Sequence, residues 1–184
     1  MINRIFLDLD ECLIQSLYCS SDSLKEDFKR WYGCFDYIEI KISKREVYLT
    51  FIRPLAHQLI EECKKLVGED NVYILTSSTA DYAGYINAHH NLGFYNCKIF
   101  TREDIDAGLI DAFTSINSNN ILIDNENYSF HSMRKRNKRN FLNLKEDNLI
   151  QIKEFDVYNR DGYDDKKEQE ELGRVLTLLK TRLQ

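Results

Sequence analysis

The sequence predicts an α/β fold in which a mostly parallel central sheet carries helices on both faces. Three observations predict it. Short apolar runs recur at 4–9 (RIFLDL), 72–75 (VYIL), 97–100 and 121–124, each of strand length. Stretches with helical periodicity separate them. Several of the runs stop abruptly at acids or hydroxyls, the punctuation of strand tips that open into a site. Short apolar strands alternating with helices pack as a parallel sheet buried on both sides.

Each element has its own local reason. Residues 4–9 form an apolar run that ends at carboxylates and read as a buried strand. Residues 36–42 (DYIEIKI) and 46–52 (EVYLTFI) alternate apolar and polar side chains about the polar Ser43-Lys44-Arg45, the pattern of a β-hairpin. Pro54 is placed to open a helix at its first position, with Leu55, Leu59, Ile60, Cys63, Leu66 and Val67 on one face and Gly68 at its end. Residues 72–75 give a second strand, 79–90 a helix, 97–100 a third strand, 108–117 a helix and 121–124 a fourth strand. A fifth strand is expected at 150–152. The tail from Asp165 to Leu183 is amphipathic, with Leu172, Val175, Leu176, Leu179 and Leu183 on one stripe.

Composition bounds the possibilities. A chain of 184 residues, 43% hydrophobic and 30% charged, is long enough for one domain with a real core. We expect a single domain over 1–184, with an insertion at about 17–50. One Pro, seven Gly and no internal repeat argue against long linkers. The net charge of −5 gives no global reason to bind nucleic acid. Locally, His131 to Arg139 (HSMRKRNKR) is densely basic, either a solvated loop or a patch for a polyanion through Arg134, Lys135, Arg136, Lys138 and Arg139. The five cysteines, at 12, 19, 34, 63 and 97, form no CxxC pair, which argues against a disulfide framework or a zinc site and for a reducing, cytoplasmic setting. No apolar run approaches the ~18 residues needed to span a bilayer, so no membrane partner is expected. His89-His90 reads as a surface feature, and Trp31, Tyr32 and Phe35 as core or pocket aromatics.

In parallel sheets, sites gather beyond the carboxyl ends of the strands. Here those ends read Asp8-Leu9-Asp10, Thr76-Ser77-Ser78 and Asp124-Asn125. If the three strands are neighbours, carboxylates and hydroxyls converge. Crowded carboxylates repel unless a cation compensates, and hard oxygen ligands of this kind suit Mg²⁺. Beside such a cation a carboxylate can attack phosphorus, giving an acyl-phosphate. A second carboxyl two residues on, on the same side of an extended strand, could protonate a leaving oxygen and then activate water. Acids at strand ends also serve as helix caps and solvated turns, and DxD alone does not choose between these readings.

The ordered set does resemble a known group. FLDLDECLIQS (6–16) is similar to the first motif, DxDx[TV]L[VI], of the haloacid dehalogenase superfamily. VYLTFIRPLAHQLIEECKK (47–65) and VYILTSSTADYAGYI (72–86) resemble the small C-terminal-domain phosphatases (FCP/SCP-like, NIF-type), which run a strand into Arg-Pro, a helix, and a strand ending in Thr followed by Tyr-Ala. ILIDNENYSF (121–130) resembles their fourth motif, and IKEFD (152–156) their short aromatic-Asp segment. The resemblance implies a Rossmann-like core with a small β-hairpin insertion between the first and second motifs. It implies a Mg²⁺-dependent phosphatase that works through an aspartyl-phosphate on Asp8. Asp8 would also be a metal ligand. Asp10 would be the general acid/base, its backbone carbonyl reaching the metal. Thr76, with Ser77, would bind phosphoryl oxygens, and Asp124 and Asn125 would complete the metal site. The substrate would be a phosphoprotein, or a nucleic-acid phosphate end if the basic run takes part.

Two positions depart from the family pattern. Its third motif is a Lys on the helix before the fourth strand. No Lys lies between Lys98 and Asp124, and the matching place reads Ile110-Asp111. Arg102 is the one cation in that interval and the first candidate to substitute; Lys98 is the second. Cys12 stands where the family usually has Thr. These departures motivate an alternative, a catalytically weak module that binds a phosphorylated partner or nucleic acid.

Overall fold

The computed structural model describes residues 2–43, 46–88, 97–110, 118–125, 148–158 and 164–184. His89-His90, residues 111–117 of the helix expected at 108–117 (with Asp111 of the third-motif position) and the basic run 131–139 lie outside the described residues.

The first apolar run forms β1 (Ile2–Asp8), and it becomes the centre of the main sheet. Beyond the site loop come β2 (Ile14–Cys19), α1 (Asp22–Tyr32), β3 (Tyr37–Lys41) and β4 (Val47–Ile52). After these the chain alternates as α2 (Ala56–Val67), β5 (Val72–Leu75), α3 (Ala80–Ala88), β6 (Lys98–Phe100), α4 (Arg102–Asp106), β7 (Ser118–Asp124), β8 (Leu149–Gln151) and α5 (Asp165–Arg182). The main sheet has the order β6-β5-β1-β7-β8, every pairing parallel. Its register sets Asp8 beside Leu75, and Leu7 beside Ile123. The α/β architecture read from the sequence is the one observed.

Strand alternation divides the core. Ile5, Leu7, Val72, Ile74, Ile121 and Ile123 face the side covered by α2 and α5. Phe6, Tyr73, Leu75, Phe100 and Leu122 face the other, where Phe6 stacks on Tyr73 at 5.1 Å and Ile105 of α4 packs on them. A continuous apolar run is what a strand buried on both faces requires.

The hairpin is present as β3 and β4, closed by the Ile42 N–H donating to Glu46 O at 2.9 Å. It belongs to a larger unit. β2 pairs antiparallel with the far side of β4, giving a second sheet of order β2-β4-β3 with α1 packed on it. Ser21 caps α1 by accepting from Leu24 N–H. Tyr32 and Phe35 are buried under this sheet, while Trp31 is 40% exposed.

Boundaries differ from expectation in two places. The helix after Arg53 starts at Ala56, two residues beyond Pro54, because Leu55 takes a left-handed φ of 66° and Ala56 N–H closes a turn on Arg53 O. Gly68, at a φ of 90°, ends that helix as expected. The segment after β6 folds at once as α4, because Thr101 and Asp104 form a reciprocal capping box. The C-terminal helix buries Leu172, Val175 and Leu179, as its stripe indicated.

Candidate active site

The tips of β5, β1 and β7 lie side by side at one edge of the main sheet, so Thr76, Asp8 and Asp124 come from adjacent strands. Asp8 ends β1 and is half-buried. Burial is the largest influence on its carboxyl. The negative charges of Asp124 and Asp10 follow, with Glu11 adding less, and together they hold it well above the ordinary carboxylate range. A hydrogen bond from the Leu9 N–H works the other way.

The loop after Asp8 is folded tightly on itself. Leu13 N–H donates to Leu9 O at 2.9 Å, and Glu11 N–H to Ile14 O at 2.6 Å. Glu11 adopts a left-handed φ of 60°, sparsely populated for a residue with a Cβ. The loop is held from below. Arg53 is buried, and its Nη1 donates to Cys12 O at 3.1 Å and to Lys153 O at 2.7 Å. Its Nε meets Glu168 Oε2 of α5 at 2.8 Å. Phe155 N–H donates to Glu11 O at 2.6 Å, so the segment 152–156 runs beneath the site. Cys12 is fully buried, and burial, then the nearby Asp8, raises its thiol well above the usual value, the environment of a packed and unreactive cysteine.

Asp10 is turned toward β5 and α3. Its Oδ1 accepts from the Tyr82 hydroxyl at 2.8 Å; its Oδ2 accepts from the Ser78 hydroxyl at 2.8 Å, with Thr76 Oγ1 farther off at 3.3 Å. Tyr82 also lies 2.6 Å from Ser16 Oγ of β2, which is 2.7 Å from Thr50 Oγ1 of β4. Burial, with the negative charge of Asp10 next, pushes the Tyr82 phenol up, so it remains a proton donor. Thr76 is fully buried, and its oxygen accepts from Ser78 N–H at 3.0 Å.

The other candidates are placed as follows. Ser77 is exposed, and its carbonyl accepts from Arg102 Nε at 2.7 Å. Arg102, the first residue of α4, borders a cavity of about 520 Å³ that Asp10, Ser16, Tyr48, Ser78 and Tyr82 also line. Lys98 lies four residues before Arg102, on β6, its ammonium 4.7 Å from the centre of the Phe100 ring. Asp124 and Asn125 are buried. Asn125 Nδ2 donates to Glu11 Oε2 at 3.3 Å, and Asp124 O accepts from Ile152 N–H at 2.9 Å. None of Trp31, Tyr32 and Phe35 lines the cavity.

The donor set suits a hard divalent cation. The carboxylates of Asp8 and Asp124, the amide oxygen of Asn125 and the backbone carbonyl of Asp10 are all oxygen donors. The described charges that raise Asp8 are acidic, so a cation would relieve them. Among the described residues no three His, Cys, Asp or Glu side chains are grouped as a metal cage. Mg²⁺, held through one or two carboxylates with water completing the shell, does not need one.

Sequence reading gave no role in this site to Tyr82, Ser16, Glu11 or Arg53, and took Ser78 only as part of the Thr76-Ser77-Ser78 strand end. Ser78 and Tyr82 carry a readable signal, being four residues apart across the start of a helix that follows a strand tip.

Comparison at the level of families matches residues 4–184 to the NLI interacting factor-like phosphatases. The chain belongs to that family. Its phosphatases are phosphoric monoester hydrolases of the haloacid dehalogenase type. No curated protein matches the sequence. Among solved structures, the fission yeast RNA polymerase II CTD phosphatase Fcp1 bound to beryllium fluoride is similar in fold, with a TM-score of 0.56 at 15% identity over 95% of this chain and 50% of that one. A second structure of Fcp1, described as an essential RNA polymerase II CTD phosphatase, gives 0.54 at 17% identity over 98% and 50%. The chain therefore spans about half the length of the proteins it resembles. Among the described residues, no helix is long and apolar enough to cross a membrane.

Proposed function

We propose that this family member is a Mg²⁺-dependent phosphatase that hydrolyses phosphomonoesters through an aspartyl-phosphate on Asp8. The observation that carries the reading is the position of Asp8 at the central strand tip, its charge opposed by Asp124, Asp10 and Glu11. Bound Mg²⁺ would neutralise phosphate charge and let an anionic nucleophile approach phosphorus. Asp8, Asp124, Asn125 and the Asp10 carbonyl would hold it. An Asp8 oxygen attacks phosphorus, the ester P–O bond breaks, and the leaving oxygen takes a proton from Asp10. Water then attacks phosphorus, Asp10 takes its proton, and the bond to Asp8 breaks. Thr76 and Ser77 are the donors proposed for the phosphoryl oxygens, and Arg102 for their charge, with Lys98 the second candidate.

We expect turnover of a generic aryl phosphate with Mg²⁺, none in EDTA, and a loss of at least about 10³-fold in Asp8→Asn. Activity that survives Asp8→Asn excludes this nucleophile. The substrate we favour is a phosphorylated protein segment, as the CTD phosphatase titles of the structural neighbours suggest. The basic residues Arg134, Lys135, Arg136, Lys138 and Arg139 support a nucleic-acid phosphate end instead. Phosphopeptides assayed beside 3′- and 5′-phosphorylated oligonucleotides separate the two. The absent third-motif Lys favours a second reading, a phosphate-binding module with little turnover; measurable Mg²⁺-dependent hydrolysis excludes it. Five free cysteines, four of them buried, support a cytoplasmic single-domain protein whose insertion is the small sheet unit.

A further inference from the structure

We infer that Tyr82 and Ser16 are positioning residues for Asp10, forming with Thr50 a chain of hydroxyls that fixes the orientation of this carboxyl. The inference rests on the proposed phosphatase reading, and it concerns residues to which the sequence reading gave no role.

The geometry is a continuous line of oxygens. Thr50 Oγ1 lies 2.7 Å from Ser16 Oγ, Ser16 Oγ lies 2.6 Å from the Tyr82 hydroxyl, and that hydroxyl lies 2.8 Å from Asp10 Oδ1. Ser78 holds the other carboxyl oxygen at 2.8 Å. The line crosses the boundary between the two sheets: Thr50 and Ser16 sit opposite each other on β4 and β2, while Asp10 follows β1 of the main sheet. Thr50 is fully buried, so water does not compete at the far end.

A carboxyl that must meet a substrate oxygen works only in one orientation, and hydrogen bonds on both of its oxygens fix that orientation. The Tyr82 hydroxyl, lying between Ser16 and Asp10, holds Oδ1, while the Ser78 hydroxyl holds Oδ2. Ser16 and Thr50 in turn hold the Tyr82 hydroxyl from the small sheet, so the carboxyl is oriented before substrate arrives. Phenylalanine at 82 would keep the ring and its packing against Tyr48 but break the line.

The test uses leaving groups of different basicity. A 4-nitrophenolate departs without protonation; phenolate or an alkoxide needs a proton from the general acid. The readout is the ratio of kcat on 4-nitrophenyl phosphate to kcat on phenyl phosphate, for wild type, Tyr82→Phe and Ser16→Ala, each checked for folding by circular dichroism. We expect the ratio to rise at least tenfold in Tyr82→Phe and less, in the same direction, in Ser16→Ala. Should Tyr82→Phe fail to fold, Ser16→Ala carries the test alone. A wild-type ratio in the folded variants, with both substrates slowed equally or neither slowed, overturns the inference and leaves the phosphatase reading standing. A wild-type protein inactive on both substrates removes the reading itself.

Discussion

Asp8 illustrates how a single residue can be placed against its own stability. Its carboxyl is half-buried and faces the charges of Asp124, Asp10 and Glu11. Asparagine keeps the shape and removes one charge. In EDTA near neutral pH, Asp8→Asn is expected to melt above the wild type, and excess Mg²⁺ to reverse that order. At a hundredfold excess over Kd a ligand adds about 2.7 kcal/mol, or roughly 5–11 °C for a chain of this size. Thermal melts check it, and a variant that melts lower in EDTA contradicts the crowding. The candidate ligands were legible because an apolar run that stops at an acid marks a strand tip. Tyr82 and Ser16 were not, because their hydroxyls meet only through the way one sheet sits on the edge of another, and spacing along the chain carries no trace of that.

Among elements, α5 does more than cover the sheet. Glu171 accepts from the Lys153 N–H at 2.7 Å and pairs with Arg174, so the helix grips the segment running beneath the site. The hydrogen bonds from Arg174 lead in lowering the Glu171 carboxyl below its usual value. A depressed folded pKa gives stability that is present above the unfolded value and lost as pH falls through the folded one. Glu171→Gln should therefore cost on the order of 1 kcal/mol at neutral pH and progressively less as the pH falls below the ordinary carboxylate range, so that its urea midpoint converges with that of wild type in acid. A constant gap across pH argues against this assignment. β2 and α1 were the elements the sequence hid. The β2 stretch runs straight on from the acidic loop, and its partner strand begins 28 residues after its own end, at Val47. α1 is half charged and shows its cap more clearly than its apolar face.

At the scale of the molecule, Arg53 joins parts distant in sequence: the loop at Cys12, the segment at Lys153 and helix α5 at Glu168. Its side chain is 4% exposed and that of Glu168 14%. Arg53→Met would leave a largely buried carboxylate without its cation and two carbonyls without a donor. Breaking such a pair costs about 3–5 kcal/mol, a fall of roughly 6–20 °C in Tm. Arg53→Met combined with Glu168→Met should recover part of it, whereas a single variant that melts with the wild type removes the clamp. The parallel sheet was the most legible feature of the chain, since Ile5, Phe6 and Leu7 must all be apolar when both faces are covered.

The left-handed turn at Glu11 lets the backbone double back within three residues, with its N–H tied to Ile14 and its carbonyl to Phe155. A hairpin bend so fastened has little freedom left to surrender when a ligand arrives. The entropy of arranging Asp8 and Asp10 is spent while the chain folds, so encounter with substrate starts from a rigid cradle rather than a search.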